Sequence, residues 1–171
     1  MYEKGHSPKS LVVYYSRTGT TRKVAEAIAG ILNSDIEEIF DTKKRTGVLG
    51  WMRAGRDAKK LTEIKEIKED PTQYGIVVLG SPTWNDILVP AIRTYISQYG
   101  NRFKKVAFFC TQDSEETSTL TNMESLCRKR PLDTLTLRKK QDVQSGNYQE
   151  MVRKFAMRVC ERADERGEND G

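Results

Sequence analysis

The chain has 171 residues, enough for one core and too few for two ordinary globular units. At this length about two thirds of the unfolded surface is buried on folding, so neither disulfides nor a structural metal are required. Hydrophobic residues at 37% and charged residues at 31% fit a folded domain, no apolar run approaches the roughly 18 residues of a membrane helix, and the net charge is a modest +5.

Residues 1–9 read as an N-terminal extension. The opening MYEKGHSPK lacks the apolar stretch of a signal peptide, so export is not expected. Leu11 to Tyr15 is a short β-branched and aromatic run, read as the first strand, and it is closed by the polar SRTGTT. The pattern then changes to a helix in which Val24, Ile28, Ile31 and Leu32 form one apolar stripe. Asp35 to Phe40 reads as a half-buried second strand. The stretch from Asp41 to Lys60 is basic and irregular, with Trp51 and a short helix expected over Trp51 to Lys60. Tyr74 to Gly80 is continuously apolar, the mark of a parallel strand covered on both faces. Val89, Ile92, Ile96 and Tyr99 give a helical stripe, Val106 to Cys110 a fourth strand, and Leu132, Leu135 and Leu137 a frayed fifth. The last helix carries Tyr148, Met151, Val152, Phe155 and Val159 on one face. Residues 163–171, ADERGENDG, read as a polar, disordered tail, which leaves one domain over 10–162.

Strands alternating with helices imply right-handed crossovers and an α/β, doubly wound, five-stranded parallel sheet with helices on both faces. Ligands of such sheets bind where loops leave the carboxyl ends of the strands. Three loops qualify: Ser16 to Thr21, Ser81 to Asp86 and Thr111 to Thr119.

Charge and cysteine usage narrow the chemistry further. Acidic residues are mixed among the basic ones, as in KKLTEIKEIKED, which reads as a solvated face and not as a nucleic-acid footprint. The clusters Lys43 to Arg45, Arg128 to Arg130 and Arg138 to Lys140 are candidate docking points for an acidic partner. Cys110, Cys127 and Cys160 are widely spaced, with no CxxC pair and His6 as the single histidine, so no metal site is expected. Reduced, structural thiols fit a cytoplasmic location.

The loop SRTGTT offers four hydroxyls and a glycine where helix N–H groups lie unpaired. A phosphate monoester satisfies those donors, is favoured by the helix dipole, and takes further bonds from Ser16, Thr18, Thr20 and Thr21, beside Arg17. Gly19 lets the backbone come close. One helix cap needs one hydroxyl, and here there are four. No GKS, GKT or GxGxxG occurs, so neither the triphosphate loop nor the dinucleotide fingerprint is present.

In these residues the sequence resembles the flavodoxins, whose phosphate loop has the pattern S/T, any, T, G, any, T. Ser16, Thr18, Gly19 and Thr21 match it directly after the first strand. GSPTWN, Gly80 to Asn85, after the third strand, is similar to the flavodoxin loop that sets an aromatic ring against the flavin. The likeness covers about Ser10 to Cys160 in element order. It implies FMN as cofactor and the strand order 2-1-3-4-5. The implied cofactor contacts are Ser16, Arg17, Thr18, Gly19, Thr20 and Thr21 at the phosphate, and Ser81, Pro82, Thr83, Trp84, Asn85 and Asp86 at the ring. Thr111, Gln112 and Asp113 are expected along its pyrimidine edge, and Trp51 is a candidate for the second face.

In flavodoxins the peptide after the aromatic turns over on reduction, so that a carbonyl accepts a bond from flavin N5–H. That place falls on Asn85 and Asp86, residue types that tolerate left-handed backbone. Asp113, Glu115 and Glu116 would lower the reduction potential if they lie near the ring, or else serve as an N-terminal charge set for the next helix. No side chain need be catalytic, because the chemistry belongs to the cofactor and the only histidine, His6, is expected to be a solvent-exposed bystander. A response regulator needs acidic residues at the end of the first strand, where Tyr15, Ser16 and Arg17 stand instead. The first reading is an electron carrier between redox protein partners. The alternative is an FMN-dependent NAD(P)H oxidoreductase acting on a quinone or other small electron acceptor, which the departure from the strong acidity of flavodoxins favours. A binding module that keeps the fold without the flavin is the third.

Overall fold

The computed structural model describes residues 8–42, 61–113 and 118–168. His6, Lys43 to Arg45, Trp51 with its expected helix, and Glu115 and Glu116 lie outside these residues. The elements are β1 (Ser10–Tyr14), α1 (Thr20–Leu32), β2 (Asp35–Glu38), β3 (Ile76–Trp84), β4 (Ile87–Leu88), α2 (Pro90–Tyr99), β5 (Lys105–Gln112), α3 (Thr119–Cys127), β6 (Thr134–Arg138) and α4 (Tyr148–Glu168). Five strands pair in the parallel order β2-β1-β3-β5-β6, the expected 2-1-3-4-5 sequence, and β4 is an added two-residue strand antiparallel to the end of β3.

The apolar runs form strands because each splits by alternation onto two covered faces. Val12, Tyr14, Ile76, Val78, Ala107 and Phe109 point to the layer that holds α1 and α4. Leu11, Val13, Val77, Leu79, Val106 and Phe108 point to the layer that holds α2 and α3. α2 starts on Pro90 after an extended Val89, where the missing N–H of proline costs nothing.

Four sequence expectations need correction. Ser81 to Trp84 are not loop but the last residues of β3, kept in the sheet by pairing with β5 and then with β4. Thr111 and Gln112 likewise end β5. Ile31 is 48% exposed, since α1 turns Val24, Ala25 and Ile28 inward and leaves Ile31 on the outer side. Ala163 is buried and packs in the α1–α4 layer, so helix continues to Glu168 where a disordered tail was expected from residue 163. The burial of Ala163 in that layer outweighs the polar composition around it.

The edge strand β2 is covered by the incoming chain. Lys65 N–H donates to the Phe40 carbonyl (2.8 Å) and Thr42 N–H to the Glu63 carbonyl (3.0 Å). The carboxylate of Glu37, only 5% exposed, accepts from the backbone N–H of Lys68 (3.0 Å) and of Glu69 (2.8 Å), which compensates its burial. Among the described residues no helix is long and apolar enough to cross a membrane.

Candidate functional site

The carboxyl ends of β1, β3 and β5 surround one cleft of about 350 Å³ lined by Arg17, Thr18, Thr20, Thr21, Pro82, Thr83, Trp84, Thr111, Gln112, Asp113 and Lys139. Ten of the fifteen expected contact residues line it. All three loops named from the sequence contribute.

At the β1–α1 corner, Gly19 has φ of +90° and precedes the helix, with no side chain capping the first turn. A Cβ at Gly19 would meet nothing within 4 Å, so the glycine is required by its left-handed backbone and not by crowding from the protein. Ser16 Oγ accepts from Gly19 N–H (3.1 Å) and closes the bend. Ser16 and Gly19 therefore shape the loop without lining the cleft. Thr18 and Thr20 hold their hydroxyls 3.4 Å apart at the exposed start of α1. Thr21 is buried, and its hydroxyl lies 2.8 Å from that of Thr111, which ties the loop to β5. The result is a helix N-terminus with free dipole and adjacent hydroxyls, the chemistry that receives a phosphate.

The opposite wall is the end of β3. Trp84 is half-buried, and Tyr15 meets it edge-on with ring centroids 5.5 Å apart and planes at 86°. That T-shaped pair fixes the indole and leaves its orientation set by the fold. The Thr83 hydroxyl lies 2.8 Å from that of Thr119 at the start of α3. Ser81, by contrast, is fully buried and donates to the Pro82 carbonyl (2.7 Å), so it supports the strand from behind the cleft. Asn85 and Asp86 are exposed and both left-handed, with φ of 48° and 60°. They form the two-residue turn of the β3–β4 hairpin, where both central residues need positive φ. They stand beside the cleft, outside its lining.

β5 forms the floor. Thr111 and Gln112 are buried, and Asp113 is exposed at the rim. Behind them, burial pushes the Cys110 thiol up to about 11, so it stays protonated and inert at neutral pH.

Lys139 was not among the expected contacts. β6 ends at Arg138 and the chain enters a π-helical turn, Lys139–Gln144, with Asp142 accepting from Arg138 N–H (2.7 Å). This turn presents Lys139 to the cleft. Its signal in the sequence was the basic run Arg138 to Lys140 at the end of the last strand, which reads as a docking cluster when the turn is not foreseen.

The cleft thus joins a dipole-bearing, hydroxyl-rich loop, a fixed indole and two cations to one rim carboxylate. Its residues fit a ligand with a phosphate at one end and a flat aromatic body at the other, and its size falls in the range of about 300–1,000 Å³ of small-molecule pockets.

The flavodoxin family profile matches residues 9–141. A flavoprotein from Lactobacillus acidophilus, solved in complex with FMN, is 23% identical, with a TM-score of 0.62 over 81% of this chain and 97% of its own. A Bacteroides uniformis protein, also 23% identical, superposes with a TM-score of 0.68 over 85% and 96%. Oxidised flavodoxin 2 from Bacillus cereus is 20% identical, with a TM-score of 0.57 over 90% of this chain and 99% of its own.

Proposed function

Because the chain belongs to the flavodoxin family, we propose that it binds FMN in the cleft at the carboxyl ends of β1, β3 and β5 and carries electrons between redox protein partners. The observation that carries this reading is the meeting, in one cleft, of an uncapped helix start rich in hydroxyls and a half-buried tryptophan. Bound there, FMN supplies one- or two-electron chemistry. The protein supplies position and field.

The N–H groups of the first turn of α1 and the hydroxyls of Thr18 and Thr20 take the phosphate, with Arg17 beside it. Gly19 holds the bend, and the Thr21–Thr111 contact keeps the loop at a fixed distance from β5. Trp84 covers one face of the ring, steadied by Tyr15. Gln112 and Asp113 would meet the polar edge of the ring, and the hairpin turn at Asn85 and Asp86, beside the cleft, would supply the carbonyl that the flavodoxin resemblance assigns to N5. No side chain is assigned as a proton donor.

A second reading, an FMN-dependent NAD(P)H oxidoreductase acting on a quinone or other small acceptor, is favoured by the cations Arg17 and Lys139 at the cleft and by the net charge of +5. The two readings separate on the purified yellow protein. A carrier shows a flavin spectrum that bleaches stepwise on chemical reduction, with negligible NAD(P)H oxidation with or without added quinone. Turnover of NAD(P)H establishes the enzyme. A colourless protein that takes up no added FMN removes both.

A further inference from the structure

At the end of the sheet away from the flavin cleft lies a second cavity, of about 370 Å³, lined by Lys104, Lys105, Val106, Lys129, Arg130 and Arg166. Five of these six residues are cations. Val106, 1% exposed, is the one apolar residue, and no carboxylate or aromatic side chain lines the cavity among the described residues.

Two of the cations build its wall. Lys105 Nζ donates to the Ala163 carbonyl (2.6 Å), and Arg166 donates from Nη1 to the Arg130 carbonyl (3.0 Å) and from Nη2 to the Pro131 carbonyl (3.2 Å). These bonds lash the end of α4 to the start of β5 and to the loop between α3 and β6. The other three, Lys104, Lys129 and Arg130, make no ion pair among the described residues. The acid of that loop, Asp133, is already engaged by Arg158 and Arg162, each at 2.7 Å. Positive charge is therefore concentrated in a concave site in which Lys104, Lys129 and Arg130 have no acidic partner among the described residues.

We propose that this cavity binds a compact polyphosphate, the pyrophosphate group of a nucleotide or of an inorganic chain. Several adjacent cations match a group with several negative charges in a small volume better than a single carboxylate or orthophosphate. The cavity is the size of a small ligand, whereas an extended polyanion needs a stripe of charge along the surface. Lacking an aromatic platform, it reads the phosphates and not a base. It is also separate from the redox site, because Lys105 and Gln112 stand at opposite ends of β5, roughly 23 Å apart at a strand rise of about 3.3 Å per residue. The ligand is held at a distance from the flavin cleft.

The test is calorimetric titration of the full chain with FMN in excess, so that the loop at Ser16 to Thr21 is occupied, in buffer of physiological ionic strength. Inorganic pyrophosphate binds, and orthophosphate binds at least tenfold more weakly. ADP binding as tightly as pyrophosphate assigns a nucleotide source, and markedly weaker ADP binding an inorganic one. The triple variant Lys104→Gln, Lys129→Gln, Arg130→Gln, which spares the wall bonds of Lys105 and Arg166, loses at least tenfold in pyrophosphate affinity with its melting temperature and FMN affinity unchanged. The proposal is overturned by pyrophosphate affinity that the triple variant leaves unaltered, by no binding below millimolar concentration, or by binding to heparin alone, which marks an extended polyanion.

Discussion

The backbone N–H and the hydroxyl of Ser118 both donate to the carbonyl of Asp86, each at 2.8 Å. Ser118 directly precedes α3, so the start of that helix pins the second residue of the β3–β4 turn. Reorientation of a peptide in this turn then falls to the carbonyl of Asn85, the residue before the pinned one.

Ser118→Ala removes one of the two bonds and keeps the other. A neutral hydrogen bond contributes about 1 kcal/mol, equivalent to about 40 mV for a one-electron couple. If the turn reorients on reduction as the flavodoxin resemblance implies, loosening it eases that step, and the first one-electron potential of the bound flavin rises by up to this amount, with FMN affinity held within about threefold. Spectroelectrochemical titration measures it. Unchanged potentials would mean that the backbone bond alone holds the turn.

The phosphate loop and the indole are separable by ligand. Thr18→Ala and Thr20→Ala each remove a hydroxyl from the start of α1 but nothing from the ring site. Hydrogen bonds to a charged group contribute about 1.5–3 kcal/mol, so each variant weakens FMN by roughly tenfold or more and leaves riboflavin, which has no phosphate, unaffected. Fluorescence titration with both ligands decides it, and equal losses for the two would place the phosphate elsewhere.

Trp84→Ala behaves in the opposite way. Stacking contributes on the order of 1 kcal/mol beyond area burial, so FMN and riboflavin are both weakened, by about tenfold. The bound flavin also becomes more fluorescent, because the indole that quenches it is gone. If emission and affinity stay as in the parent protein, Trp84 and its partner Tyr15 do not touch the ring.

The sheet was legible because strands buried on both faces write their periodicity as unbroken apolar runs, and Leu11 to Tyr14 and Ile76 to Leu79 leave little else to choose. The first-loop residues were legible because SRTGTT concentrates hydroxyls between two patterns of different period. What the sequence hid depends on long-range pairing. Ser81 to Trp84 carry turn-like residues, proline among them, yet the neighbouring β5 and β4 hold them as strand. Lys139 reaches the cleft only through a π-helical turn, for which local composition has no mark. Ser118 lies 32 positions from Asp86, and nothing in the intervening residues announces that contact.

The thiols fix an alkaline limit on stability. Burial pushes Cys110 up to about 11 and Cys127 up to about 12, from an ordinary 9.0. Tyr95, fully buried, is raised in the same direction, mainly by burial. Between pH 9 and 12 the unfolded chain has released protons that the folded chain still binds, so stability falls as pH rises. Denaturant unfolding shows a falling midpoint over this window and no comparable loss from these groups between pH 7 and 8. At pH 8 a thiol reagent reaches Cys160, the half-buried one, first, and the other two only on unfolding. Rapid reaction of all three in the native protein would contradict the burial.

Gly80, the first residue of GSPTWN, is required by packing and not by the ligand. It pairs with Phe109 across β3 and β5, and a Cβ built on it would stand 2.0 Å from Phe109 Cζ, far inside contact distance. Phe109 is itself fully buried among Val12, Val24 and Leu137 in the α1–α4 layer, so it has no room to withdraw. Gly80→Ala therefore overpacks the sheet next to the cleft and destabilises by about 1–3 kcal/mol, lowering the melting temperature by several degrees. Phe109→Leu alone also destabilises, by leaving a cavity. Combined, the two changes relieve each other, because the smaller side chain makes space for the added methyl. The double variant is thus more stable than the sum of the single losses implies, and a double-mutant cycle reads that coupling. Strict additivity would mean that the alanine methyl is accommodated by a shift of β3 itself, and the position of Trp84, four residues along the strand, would move with it.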